Sequence, residues 1–189
     1  MRRLKFVNAL VALGIASLLG ACATTAPPTV KPVGSVDLQR FMGDWYVIAH
    51  IPSRPERDAY NAVEHYALQA DGTIHTTFRY RNNGFDQPLK TMLPKGFVRP
   101  GTNNAVWDMQ FVWPIKAEYV IVQVDPAYTV TVIARSKRDY AWIMARSPSI
   151  PAGDYDAAVA SLKAMGYSLG ELRKVPQQWP EASGPRPPL

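Results

Sequence analysis

From Trp45 to Arg146 the chain alternates apolar and polar positions with a period of two, and turn signals interrupt it at fairly even spacing. Trp45 to Ile51 is dense in aromatic and β-branched residues and stops at Pro52. Ala62 to Ala70 is a second such run, closed by Asp71-Gly72, a strong tight-hairpin signal. Thr73 to Arg81 sets Ile74, Thr76, Phe78 and Tyr80 against Thr73, His75, Thr77 and Arg79, and Asn82-Asn83-Gly84 turns the chain. Pro88 to Arg99 is a poorer strand, because Pro94 removes a ladder donor and marks a bulge or an edge. Val106 to Val112, Ala117 to Val124, Ala127 to Ala134 and Tyr140 to Arg146 complete a set of eight strands.

Short connections between consecutive strands predict an antiparallel meander, whereas a sandwich needs longer crossovers. Eight is the number at which an up-and-down sheet closes and still holds one small ligand. The predicted fold is therefore all-β, an eight-stranded antiparallel up-and-down barrel. Helical spacing appears once, in the stripe Tyr155, Ala158, Val159, Leu162 and Met165, with Asp154 near its start and Gly166 at its end. The stripe predicts one C-terminal α-helix packed on the outside of the barrel. Its polar face gains positive charge only from Lys163, which disfavours a membrane-surface helix. Leu172 to Val175 is a candidate ninth strand, and the Pro-rich stretch from Pro180 to Leu189 a frayed tail.

The N-terminus reads as an address. Basic Met1 to Lys5 precedes an apolar run from Phe6 to Leu19, too short for a comfortable membrane span. The run ends in Leu19-Gly20-Ala21-Cys22, which resembles the lipobox of bacterial lipoproteins; an ordinary export signal with an incidental cysteine is the alternative. The resemblance implies a signal peptide over 1–21 and a diacylglyceryl thioether, usually with an N-acyl chain, on Cys22. Several acyl chains at ~0.8 kcal/mol per buried CH2 hold where one does not. Ala23, in place of Asp, favours the outer over the inner membrane by the same resemblance. Residues 22–33 then form an acylated, Pro-rich tether, 34–180 the folded domain and 181–189 a disordered tail.

The chain has 189 residues, 47% hydrophobic and 19% charged, which suits one domain and argues against a disordered one. Net charge is +6; without Arg2, Arg3 and Lys5, 18 basic residues against 15 acidic leave +3, too mild to argue for nucleic acid. The single cysteine excludes an internal disulfide framework and a thiolate-rich zinc site.

The stretch Asp37-Leu38-Gln39-Arg40-Phe41-Met42-Gly43-Asp44-Trp45-Tyr46 resembles the opening of a lipocalin, where a 3-10 turn closes the barrel and a Gly-x-Trp motif starts the first strand. Trp45 to Pro52, and Asp139 to Pro148 with its Arg146, resemble the bacterial lipocalin and apolipoprotein D branch. The Thr-Asp-Tyr motif of the family is reduced here to Val124-Asp125-Pro126 followed by Tyr128. The resemblance implies a structural role for Gly43, Trp45 and Arg146, the Arg lying over the Trp with a cation–π contribution of roughly 0.5–2 kcal/mol.

With Trp45 and Arg146 marking the inside, period two points Val47, Ala49 and Ile51 inward from the first strand and Tyr140, Trp142 and Met144 inward from the last, with Tyr119 and Trp113 near the mouth. Ordinary barrel packing is the alternative for each aromatic, and a one-residue bulge would invert these assignments. His50 alternates outward. A lining that is apolar and aromatic with few fixed charges takes an alkyl chain: burying ~16 methylenes gives about 13 kcal/mol gross, against ~1 kcal/mol for a head-group hydrogen bond. The expected ligand is a fatty acid or lysophospholipid, and the resemblance implies an outer-membrane lipoprotein active in envelope maintenance, with a homodimer as an option. No cofactor, metal, nucleic-acid partner or catalytic constellation is expected: His50, His65 and His75 have no metal-ligand spacing, and Glu64, Asp86, Asp108 and Glu118 are scattered. The alternatives are a binder of haem or another flat pigment, with His65 as an axial ligand, and an envelope protein acting by protein contact through a plugged barrel.

Overall fold

The computed structural model describes residues 29–181. The signal segment, Cys22, most of the tether and the tail beyond Glu181 lie outside the described residues. A one-turn helix α1 (Leu38–Phe41) precedes strand β1 (Gly43–Ile51); Asp37 caps it by accepting from Gln39 N at 2.9 Å and Arg40 N at 3.2 Å. A 3-10 turn (Arg54–Glu56) leads to β2 (Ala59–Leu68), β3 (Thr73–Asn82), β4 (Leu89–Met92), β5 (Lys95–Val98), β6 (Val106–Val112), β7 (Ile115–Val124), β8 (Val130–Ala134) and β9 (Ala141–Ala145). Helix α2 (Ala152–Ala164) and a two-residue strand β10 (Arg173–Lys174) follow.

Neighbouring strands pair antiparallel in chain order, and β1 pairs with both β2 and β9, which closes the barrel. β4 and β5 both pair with β3 and behave as one strand broken at Leu93-Pro94, so the barrel has eight strands. β10 takes the edge of β1 above the point where β2 leaves it, pairing Ala49 with Lys174 and His50 with Arg173. Where β1 and β2 part, the Gln177 amide donates to Val47 O at 2.8 Å and Ala62 O at 3.2 Å, satisfying both carbonyls. β2 starts earlier than its apolar run, at Ala59, because Asn61 adopts φ 46° in a bulge and is held by Pro176 O and Gln178.

Two apolar layers result. Inside the barrel lie Trp45, Val47, Tyr66, Ile74, Phe78, Trp107, Tyr119 and Met144. Outside, Ala49, Ile51, Val132, Ile143 and Ala145 pack with Ala158 and Leu162 of α2. The helix buries Ala158 and Leu162 of the predicted stripe, with Tyr155, Val159 and Met165 partly buried against the same layer, and Gly166, φ +82°, turns the chain just beyond its end. The last tether residues lie on the barrel: Val33 N donates to Ile121 O at 2.8 Å, and Val30 is buried in the outer layer. Glu181 pairs with Arg81 at 2.9 Å. Among the described residues no helix is long and apolar enough to cross a membrane.

Candidate functional site

One end of the barrel is plugged. Trp45 is fully buried and its Nε1 donates to Phe41 O at 2.8 Å. The Arg146 guanidinium covers its ring at 3.9 Å and donates to Arg40 O (2.7 Å), Met42 O (2.8 Å) and Asp44 O (2.7 Å), stitching α1 to the barrel rim. Gly43 has φ +93°, and a Cβ there would stand 3.4 Å from Arg146 Nη1, so glycine serves both the turn and the close approach. The reduced second motif works here too. Asp125 accepts from the backbone of Ala127, Thr129 and Val130 in the β7–β8 turn, and the Tyr128 hydroxyl accepts from Asp37 N at 2.8 Å. Above this plug Phe41, Tyr66, Trp107 and Tyr119 form an aromatic floor, with Trp107 and Tyr119 stacked at 5.1 Å.

Over the floor is a cavity of ≈ 350 Å³, within the ~300–1,000 Å³ of small-molecule sites. Its wall is Phe78, Met92, Met109, Ala117, Tyr119 and Trp142, and Ser53, Pro55, Glu56, Pro94, Phe111, Val112, Arg135 and Tyr140 surround its mouth. Topology gathers the β1–β2, β3–β4, β6–β7 and β8–β9 connections at this end.

Polar groups enter the wall at definite points. Glu64 faces inward between Ala62 and Tyr66 and accepts from the Tyr66 hydroxyl, which contacts the Tyr119 hydroxyl at 2.7 Å. Burial, only partly offset by the Tyr66 bond, pushes the Glu64 carboxyl up to about 7. Burial and then the Glu64 charge push both phenols well above their ordinary value, so they stay protonated. Glu56 accepts from Ser53 N at 3.1 Å and from Trp142 Nε1 at 3.3 Å, and His50 lies 3.8 Å away. Burial alone would raise Glu56, but His50 and Ser53 together outweigh it and hold the carboxyl below its usual range. Glu118, also in the lining, is tied to Arg99 at 3.5 Å and Ser136 N at 2.6 Å. Arg135 pairs with Asp139 at 3.2 Å and lies against Tyr140, while its buried Nε has no partner among the described residues. The Tyr167 hydroxyl fixes this corner, accepting from Arg135 N at 2.6 Å and lying 2.9 Å from Arg135 O.

Of the residues expected to line the cavity, the structure brings Tyr119, Tyr140 and Trp142 together. Val47 and Met144 point inward but are fully buried in the packed interior rather than in the cavity wall. Ala49 and Ile51 correct the period-two reading: Ile48 is an extra residue between Val47, opposite Met144, and Ala49, opposite Ile143. This bulge turns both side chains to the outer layer and His50, expected outside, inward with no exposed surface. Trp113 is 82% exposed at the β6–β7 tip and is not part of the lining. His65 points outward to Asp44 at 2.7 Å, which removes it as an axial ligand inside the barrel. The wall also carries more charge than expected, with three carboxylates and Arg135. Among the described residues no group of His, Cys, Asp or Glu is arranged to hold a metal ion. The sequence reading missed both Glu64 and Glu56; the signals that point to them are the inward Ala62 and Tyr66 at ±2 of Glu64 and the Ser53-x-x-Glu56 spacing.

Comparison with known proteins agrees with this architecture. Residues 36–177 match the family model described as a lipocalin-like domain. The chain is 29% identical to outer membrane lipoprotein Blc of Citrobacter freundii over 178 residues, covering 94% of this chain and 98% of that protein. It is 27% identical to temperature-induced lipocalin-1 of Arabidopsis thaliana over 168 residues, covering 81% and 86% of the two chains. Among solved structures, insecticyanin from the tobacco hornworm Manduca sexta superposes with a TM-score of 0.66 at 15% identity, covering 85% of this chain and 90% of that one.

Proposed function

The chain belongs to the lipocalin family, and from that premise we propose that it binds a single-tailed lipid, a fatty acid or lysophospholipid, in the barrel cavity as a carrier or store rather than as an enzyme. The observation that carries this reading is the cavity of ≈ 350 Å³, lined mostly by apolar and aromatic side chains and open at one end above an aromatic floor. The tail lies against Phe78, Met109 and Trp142. A carboxylate or phosphate head sits at the mouth, where Arg135 has an unpartnered Nε. The tail dominates the free energy, so acceptance is broad in chain type.

The lipobox-like Leu19-Gly20-Ala21-Cys22 and the relative named as an outer membrane lipoprotein support the rest of the reading. A signal peptide over 1–21 is removed, Cys22 is acylated, and the domain is held at the outer membrane of a Gram-negative bacterium, facing the periplasm, for envelope maintenance. Mass spectrometry of lipid extracted from protein purified without added lipid tests the cargo. Stoichiometric fatty acid or lysophospholipid is the expected result. Lipid-free protein that also fails to take up a fluorescent fatty acid overturns it, and leaves an envelope protein acting by protein contact.

A further inference from the structure

We propose that Glu64, Tyr66 and Tyr119 form a subsite at the foot of the cavity for an alcohol hydroxyl carried on the far half of an acyl tail. This preference rests on the carrier reading and narrows it: among single-tailed lipids, the favoured one is hydroxylated well away from its head group.

The direction of the hydrogen bonds sets what the subsite needs. The Tyr66 hydroxyl donates to one carboxyl oxygen of Glu64. Its single proton is then committed, so the Tyr119 hydroxyl, 2.7 Å away, donates to the Tyr66 oxygen. The relay runs one way, from Tyr119 through Tyr66 to Glu64. Tyr119 and Glu64 line the cavity, whereas Tyr66 stands behind them. The second Glu64 carboxyl oxygen has no protein partner among the described residues and opens on the cavity. With the carboxylate ionised, the positions offered to a ligand are all acceptors, and a plain methylene there leaves them facing hydrocarbon.

A hydroxyl answers this better than any other small polar group. Glu64 titrates at about 7, so its protonated and ionised forms both occur near neutral pH. An alcohol accepts from the first and donates to the second. An ammonium suits only the ionised form, and a carbonyl only the protonated one.

Height in the barrel fixes where on the ligand the hydroxyl lies. Tyr66 and Tyr119 belong to the aromatic floor, and Glu64 stands beside them on β2, opposite Phe78 of β3. Arg135 is at the other end of the cavity, at the β8–β9 connection beside Tyr140. A chain with its head at Arg135 therefore meets Glu64 with its distal carbons, and a hydroxyl next to the head stays at the mouth.

The test is displacement of a fluorescent fatty acid from delipidated full-length protein by three acids of equal length: octadecanoic, 2-hydroxyoctadecanoic and 12-hydroxyoctadecanoic acid. The 12-hydroxy acid is expected to bind wild type at least about fivefold more tightly than the other two. In Glu64→Leu the order should reverse, because the hydroxyl is then buried without a partner. Glu64→Gln should keep the preference, since an amide both donates and accepts. Ratios taken within one protein cancel any loss of folded fraction, and the wild-type comparison of the two hydroxy isomers needs no variant. Equal binding of the three acids by wild type, or an unchanged preference in Glu64→Leu, overturns the subsite and leaves the carrier reading standing. Failure to bind any of the three overturns the carrier reading, and the subsite with it.

Discussion

The Arg146 guanidinium lies 3.9 Å from the Trp45 ring centre while donating to three carbonyls of the α1–β1 corner. One side chain thus covers the plug tryptophan and holds the cap of the barrel. Arg146→Ala is expected to lower stability by about 2–4 kcal/mol, combining a cation–π contact with lost charged hydrogen bonds. Arg146→Lys should recover little, because one ammonium cannot span the three acceptors. Urea melts measure both, and fatty-acid affinity of the folded fraction should stay within about twofold.

Trp142 faces the cavity and donates to Glu56 at 3.3 Å. Trp142→Asp removes a large apolar wall and sets a second carboxylate beside Glu56. Affinity for a fluorescent lysolipid should fall at least about thirtyfold, with circular dichroism unchanged. Retained affinity would exclude Trp142 from the site.

Glu64 gives the barrel a pH dependence. Its carboxyl, near its ordinary value in the unfolded chain, titrates at about 7 when folded. Below pH ~4.5 both states are protonated and the group costs nothing; as pH rises to about 7 and beyond, the folded state loses stability, by about 3 kcal/mol at most. Thermal melts from pH 4 to 9 should show Glu64→Gln gaining on wild type as pH rises and matching it at pH 4. Fatty-acid affinity should likewise fall above pH 7 in wild type and stay flat in Glu64→Gln, since the tail meets a carboxylate only in the former.

The Ile48 bulge separates folding from binding along one strand. Ile51 lies in the outer layer shared with Leu162 of α2. Ile51→Ala should therefore cost about 2–4 kcal/mol of stability and leave lysolipid affinity within about twofold. A large affinity loss without destabilisation would place Ile51 on the cavity side.

Much of this architecture was legible because β3 is half polar: Ile74, Thr76, Phe78 and Tyr80 are buried, and His75 and Arg79 are exposed. The helix stripe was legible for the same reason, since it sets unlike residues on opposite faces, whereas the Gly43–Trp45–Arg146 trio was legible only through the resemblance of its motifs to the lipocalins. Val47-Ile48-Ala49 is apolar throughout, being buried under α2 on one side and inside the barrel on the other. A bulge there leaves no trace in the pattern. Height along the barrel is equally invisible to a period of two. Trp113 and Tyr119 both looked like mouth residues, and the structure puts one at the solvent-facing tip and the other on the floor. The wall carboxylates escaped because an inward acid contradicts the alternation unless its neighbours at ±2 are weighed.

Strand β1 meets β9, β10 and the Gln177 amide only in the last quarter of the sequence. Until those residues have been made, Val47 O and the free edge of β1 lack their partners and the cylinder stays an open sheet. Ring closure is a late event of high contact order, and the export route proposed above, in which the chain threads a membrane before folding, gains from such a delay.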